Sequence, residues 1–231
     1  MPNPQFSSFR FVVLAACLAF PLPVSADAPP PAPADTSADY FPLVVESEWT
    51  YATDLEGGEM IFEVPKTEKV EDVDHAVLTL SVLKTIDGVR RPAVIQREWL
   101  RRADGGDLLC PRRVVGGQEI HLYPPQPHLK AGLAPGMTWT WEGSLEHGKA
   151  KATYTVEAEE TVKVPAGEFK ALRLRVETTA EKGKGRVTRW LARGVGMVKE
   201  EAELDLGAQG THKVKAELKR HRIGPPQARD L

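Results

Sequence analysis

The chain has 231 residues, and its 30 Lys and Arg against 32 Asp and Glu give a formal net charge of −2. This balance excludes a basic nucleic-acid-binding arm and a long acidic tail, so we expect no nucleic-acid partner. The apolar fraction of 42% is ordinary for a globular protein. No apolar run reaches the roughly 18 residues of a membrane-spanning helix, and we predict no transmembrane span in the processed chain.

The first 26 residues have the organisation of a secretory signal peptide. Arg10 precedes the apolar stretch 11–20, and Val24-Ser25-Ala26 places small residues at the cleavage positions. We therefore predict that residues 1–26 are removed and that the protein is exported to the periplasm or out of the cell. An alternative is a lipoprotein signal, because Leu14-Ala15-Ala16-Cys17 matches the sequence that precedes a lipid-modified cysteine, which would anchor the protein at Cys17.

Residues 27–39 are rich in proline and alanine and contain no large apolar side chain. This composition predicts a disordered tether. It is followed by a single β domain over residues 40–223 and a flexible tail over residues 224–231. Cys110 is the one cysteine that remains after cleavage, so no intramolecular disulfide forms, and its apolar neighbours predict a buried thiol.

Short alternations of apolar and polar residues, separated by glycine-bearing turns, fill the predicted domain. Near its end, Val214, Ala216 and Leu218 alternate with charged residues. We count about eleven or twelve such strands, joined mostly as successive hairpins. Because twist accumulates in so long a meander, the pattern predicts an all-β fold, a strongly curved antiparallel meander that forms a half-barrel or open barrel. Little helix is expected outside the signal peptide.

Two segments within the domain have further interpretations. The proline-rich stretch Tyr123–His128, together with Ala134-Pro135-Gly136, predicts one long connection near the middle of the chain. The basic segment Lys213–Arg222 is interpreted as an edge strand, because lysines at an edge oppose pairing with another molecule. The alternative for this strand is docking on anionic lipid headgroups.

Three groups of motifs resemble one bacterial family. Tyr40-Phe41-Pro42-Leu43 and Trp49-Thr50-Tyr51 open the domain, the stretch 162–169 runs on into 171–175, and the stretch 190–199 closes it. These motifs resemble the TapB-like exported proteins of unknown function, and the pattern is similar to the half-barrel of the periplasmic lipoprotein carrier LolA. The resemblance implies an exported protein with a curved β fold, and it implies no activity or catalytic residue.

The sequence contains no recognisable catalytic or metal-binding motif. Its six histidines lack the close spacing of a metal site, and no serine lies in a Gly-x-Ser-x-Gly motif. The acidic runs 157–160 and 200–203 are interpreted as solvated strand faces. We therefore predict no catalytic residue, no metal, no cofactor and no enzymatic activity.

Arginine and tryptophan provide the candidate ligand-binding residues. Arg97 and Arg101 flank Trp99 on one face of a strand, and Arg173 and Arg175 alternate with apolar residues on another. On a concave sheet, these five side chains would bind an anionic or amphipathic ligand. On an outer face, the arginines would instead pair with glutamates of neighbouring strands.

These observations predict a non-enzymatic protein of the cell envelope. Its expected partner is a hydrophobic or amphipathic ligand such as a lipid, or another envelope protein. Ligand carriage predicts an apolar concavity of roughly 300 Å³ or more inside the curved sheet. The alternative is a structural or adhesive interaction module with a closed core and no ligand.

Overall fold

The computed structural model describes residues 40–224, except 56, 146–147, 181–182, 206 and 208–209. The predicted signal peptide, the tether and all but the first residue of the tail lie outside the described residues. No helix in the described part of the chain is long and apolar enough to cross a membrane.

β-strands make up most of the described chain, and we number them β1 to β12 in chain order. Their bounds are Glu48–Thr53, Glu59–Val70, Val73–Ile86, Val89–Arg102, Leu108–Val115, Gln118–Leu129, Thr138–Leu145, Gly148–Val164, Gly167–Ala180, Gly183–Ala192, Gly196–Asp205 and Thr211–Arg222. Each strand pairs antiparallel with the next one along the chain, so the predicted meander and the all-β class are confirmed.

The meander curves until its first and last strands meet. β1 pairs with β2 on one side and with β12 on the other, which closes the sheet into a ring. The ring is not regular, because β6 and β7 share a single residue pair, Tyr123 with Ser144. β12 also pairs with β11, so its interpretation as an edge strand is wrong. Its lysines are the outward-facing residues of an interior strand.

Two-residue loops join several of the hairpins. Asp87 and Gly88 connect β3 to β4, and Gly116 and Gly117 connect β5 to β6, all with positive φ. This is the type I′ geometry, whose twist matches that of the paired strands. Glu71 and Asp72 form a similar loop between β2 and β3, with φ of 50° and 61° and without glycine, so no glycine in the sequence marks this turn.

Inward-facing and outward-facing residues alternate along most of each strand, and bulges interrupt the alternation locally. On β9, Leu172, Leu174 and Val176 are buried in the core, whereas Arg173 and Arg175 between them face outward. Cys110 is fully buried within the same core, which confirms the predicted buried thiol.

Aromatic side chains of β1 link the ring closure to the β10–β11 hairpin. The Trp49 indole donates a hydrogen bond to the carbonyl oxygen of Val195 at 2.6 Å, and the Tyr51 hydroxyl donates to that of Met197 at 2.8 Å. Phe41, from the segment that precedes β1, stacks on Trp49 with ring centroids 6.2 Å apart. This end of the ring interior is therefore covered by aromatic rings.

The proline-rich stretch Tyr123–His128 lies within β6, so its prediction as a connection is wrong. Prolines lack the N–H that a strand ladder needs, and here β6 faces β7 with almost no backbone pairing. Two tryptophans of β7 replace the ladder. The Trp141 indole donates to the Pro124 carbonyl oxygen at 2.9 Å, and the Trp139 indole donates to that of Pro127 at 3.3 Å.

We expect the substitution Gly143→Ala to destabilise the protein by about 2 kcal/mol, through overpacking and loss of a hydrogen bond at the β6–β7 joint. A methyl group at Gly143 would overlap the Trp141 indole and displace it from Pro124. Gly105→Ala is the matched control, because a methyl group there meets open space. Urea unfolding of both variants measures the difference, and equal stability would contradict this account of the joint.

Candidate ligand cavity inside the ring

A cavity of about 210 Å³ lies inside the ring and is lined mainly by apolar side chains. At the end covered by Phe41, its lining residues Trp49, Leu108 and Leu191 are buried. Beside the β11–β12 turn, Leu204 and Val214 also line the cavity but are half-buried. The cavity lining is thus buried at the aromatic end and partly exposed where β11 and β12 approach their shared turn.

Glu98, Arg113 and His128 form a charged cluster against this cavity. They lie on the neighbouring strands β4, β5 and β6, and Glu98 stands directly opposite Arg113 in the ladder. Arg113 Nε lies 3.5 Å from Glu98 Oε1, and His128 Nε2 lies 3.8 Å from the same oxygen. The arginine and the glutamate are both buried, and each charge is neutralised by the other inside the protein.

The cluster continues into a hydrogen-bond network away from the cavity. The Arg113 guanidinium donates to the Gln126 Oε1 atom, and Gln126 Nε2 donates to the Tyr154 hydroxyl at 2.9 Å. The Tyr154 ring in turn stacks on Trp139, with centroids 4.9 Å apart and planes 6° from parallel. The buried charges are therefore connected to the tryptophans that hold the β6–β7 joint.

A second ion pair lines the cavity from β10 and β11. Arg189 and Glu200 stand opposite each other in the ladder, and Arg189 Nε donates to Glu200 Oε2 at 2.6 Å. The Arg189 side chain lines the cavity, and 36% of its surface is exposed to solvent. Glu200 belongs to the acidic run 200–203, which was expected to form a solvated strand face. For this residue the expectation is wrong, because a bulge in the β10–β11 pairing precedes it and it faces inward.

The environment of the cluster sets its protonation. Burial, with further contributions from Arg113 and Arg189, lowers the pKa of His128 to about 4 despite the nearby Glu98. The Arg113 guanidinium lies 3.3 Å from His128 Nε2, a contact that suits a neutral imidazole. Burial would raise the pKa of Glu98, but the positive groups around it hold that pKa below its ordinary value. Since His128 is neutral at pH 7, Arg113 and Arg189 are the groups that keep Glu98 ionised there.

Glu98, Cys110 and His128 bring three potential metal-ligand atoms within 4.8 Å of one another. Arg113 places a positive charge against both Glu98 and His128, which opposes a cation at this point. Burial raises the pKa of the Cys110 thiol to about 12, so a cation would also have to displace the proton from this sulfur.

The five residues predicted to bind ligand lie outside the ring interior. Arg97, Trp99 and Arg101 face outward from β4, because Glu98 and Leu100 between them face inward. The Arg112 guanidinium covers the Trp99 ring at 4.0 Å from its centroid. On β9, Arg173 Nε lies 2.8 Å from Glu157 Oε2, and Arg175 Nε lies 3.2 Å from Oε1 of the same carboxylate. Four strands lie between the β4 residues and the β9 arginines, so the five side chains do not form one site. The β9 arginines pair with a glutamate. Ligand binding by these five residues stays a prediction.

The charged residues that line the cavity were missed from the sequence. Glu98, Arg113, Arg189 and Glu200 sit in strands with many charges, and each resembles a solvated residue there. The signal that could have found them is cross-strand register, since both ion pairs are formed by residues directly opposite each other. Bulges in β4, β5, β10 and β11 obscure that register in the sequence.

Comparisons with known proteins reach part of the chain. The profile of a family described as DUF3108-like matches residues 151–204, from β8 to β11, which contain two of the three groups of motifs noted above. No curated protein matches the chain. The TapB-like relationship itself stays a prediction.

Two solved structures are similar in outline. A candidate lipoprotein from Parabacteroides distasonis ATCC 8503 is 10% identical with a TM-score of 0.44, over 79% of this chain and 98% of that one. A candidate exported protein with a YmcC-like fold from Bacteroides fragilis NCTC 9343 is 14% identical with a TM-score of 0.41, over 80% and 99% of the two chains. None of these descriptions names an activity, a substrate or a ligand.

We expect the free energy of unfolding to fall as the pH is lowered from about 6.5 to about 4, and the His128 contribution to this fall to be about 3 kcal/mol. In this window the unfolded chain protonates His128 and the folded protein does not, because the pKa in the fold is about 4 instead of 6.5. Above the unfolded pKa, the residue contributes no pH dependence.

Urea unfolding between pH 7 and pH 4 tests this expectation. The variant His128→Gln should lose less stability than the wild type, whereas His121→Gln, at an exposed histidine, should follow the wild type. Identical pH dependence of the wild type and His128→Gln would contradict the assignment.

Proposed function

We propose that this chain is an exported, non-enzymatic binding protein that holds a small amphipathic molecule inside its ring of strands. The observation that carries the proposal is the cavity, in which apolar walls surround inward-facing charged groups. An amphipathic molecule satisfies both kinds of surface, because its apolar part is removed from water and its polar part meets the charges.

The size of the cavity limits the ligand. Pockets for drug-sized ligands have roughly 300 Å³ or more, and an engineered apolar cavity of about 150 Å³ takes up benzene. The 210 Å³ found here is smaller than the roughly 300 Å³ predicted from the sequence for ligand carriage, so that prediction of size is wrong. The volume corresponds to a ligand of on the order of eight non-hydrogen atoms. A complete phospholipid does not fit, so a lipid ligand would place only part of its chain inside.

Several lining residues with reactive groups are already engaged in the fold. The lining residues that the structure describes include no serine, threonine, cysteine or lysine that could act as a nucleophile. The Tyr51 hydroxyl already donates to a backbone carbonyl, and burial raises the Tyr51 pKa well above its ordinary value. Glu98 and Glu200 are both held in ion pairs.

Export is the second component of the proposal and is supported by the signal-peptide pattern of residues 1–26. Cleavage after Ala26 would release the protein into the periplasm or the medium, with residues 27–39 as a tether ahead of the β domain at residues 40–223. Processing at Cys17 would instead leave the same domain on a lipid anchor. The two outcomes place the cavity in the cell envelope or outside it.

We expect 1-hexanol to bind inside the ring and the substitution Ala202→Phe to abolish this binding. Ala202 lines the cavity, so a phenyl group there occupies the space of the ligand. Glu203→Phe is the matched control, because its side chain points out of the ring and is exposed. NMR chemical-shift titration of the three proteins with 1-hexanol measures the effect.

Loss of binding in Ala202→Phe alone supports the proposal. A wild-type protein that does not bind 1-hexanol contradicts it and favours the interaction module without a ligand. Native mass spectrometry of protein purified from its own cell envelope then identifies any retained molecule and the processed N-terminus.

A further inference from the structure

The charges inside the ring balance one another, but they are not equally accessible. Glu98 and Arg113 expose 7% and 10% of their side-chain surface, and Glu200 exposes 15%. Arg189 exposes 36%, although it lies inside the ring. The charge that a molecule in the cavity meets is therefore mainly positive.

Arg189 is held in place by one of its nitrogen atoms. Its Nε donates to Glu200 Oε2 at 2.6 Å, which fixes the plane of the guanidinium. Neither terminal nitrogen donates a hydrogen bond to any residue that the structure describes. Two adjacent N–H groups of a fixed guanidinium match the two oxygens of a carboxylate.

We propose that the Arg189 guanidinium is the receptor for the head of a small monocarboxylate, with the apolar part of that molecule held by the cavity walls. This inference rests on the proposed function and names its ligand class. The next inward-facing residue to Arg189 on β10 is Val187, and the next one to Glu200 on β11 is Ala202. These two side chains provide an apolar wall beside the bound carboxylate.

A single negative charge suits this site better than the alternatives. A cationic head would face the accessible arginine, while the carboxylates that could receive it are occupied by Arg113 and Arg189. A phosphate or another multiply charged head would bring at least two negative charges close to Glu98 and Glu200. One arginine, already partly neutralised by Glu200, does not offset that repulsion. A neutral head would form no charge-assisted hydrogen bonds with the two terminal nitrogens of Arg189, which Glu200 does not engage.

Isothermal titration of the wild type with hexanoate and with 1-hexanol, at pH 7, tests the assignment. Both probes have the same chain and differ in the head group. We expect hexanoate to bind about tenfold more tightly, because a charge-assisted hydrogen bond forms only with the carboxylate. The variant Arg189→Met should lose this preference, so that its affinities for hexanoate and 1-hexanol differ by less than about twofold.

Two further variants separate recognition from stability. Arg189→Met leaves Glu200 without its partner, so the double variant Arg189→Met, Glu200→Gln removes both charges and should show the same loss of preference. Arg186→Met is the matched control, since Arg186 lies on the same strand, faces outward and pairs with Glu177. It should retain the preference of the wild type.

Equal affinity of the wild type for both probes, or a preference that survives in both Arg189 variants, would overturn the carboxylate assignment and leave the proposed binding function standing. A wild type that binds neither hexanoate nor 1-hexanol would overturn both. Loss of preference in Arg186→Met as well would show a general effect of charge and would also overturn the assignment.

Discussion

The closure of the sheet through β1 and β12 is the constraint on which the rest of this structure depends. In this ring every strand has two neighbours, and one side of each strand is committed to the interior. The short β1 performs this closure, and Trp49 and Tyr51 fix it by hydrogen bonds to the β10–β11 hairpin. The enclosed interior, with its closed aromatic end, follows from that one pairing.

Charged residues that face into such a ring must be neutralised where they stand. The fold achieves this with two ion pairs, Glu98 with Arg113 and Arg189 with Glu200, each formed across neighbouring strands. Burying charges is expensive unless each has a partner and further hydrogen bonds, and the first pair has both through Gln126 and His128. The second pair is more open to the cavity. The same arrangement that stabilises the fold therefore leaves one guanidinium accessible to a ligand.

The joint between β6 and β7 shows a different way to maintain the ring. Proline residues in β6 remove backbone donors, and the ladder is reduced to one residue pair. Trp139 and Trp141 of β7 donate from their indole rings to two carbonyl oxygens of β6, and Tyr154 connects Trp139 to the buried charges. Side chains thus join two strands where the backbone does not, and they couple this joint to the candidate site.

The sequence by itself determined the class of this fold. Period-two alternation in segments such as 213–219, with glycine turns such as Asp87-Gly88, predicts an antiparallel meander because both are local properties of the backbone. It also indicated that Cys110 is buried. Only the tertiary structure decided that β12 lies between two strands, that the prolines of β6 lie in a strand, and that Glu98, Arg113, Arg189 and Glu200 face inward. The physical reason is register: a bulge shifts a strand by one residue and exchanges its two faces, and the closure of the ring depends on twist summed over all its strands.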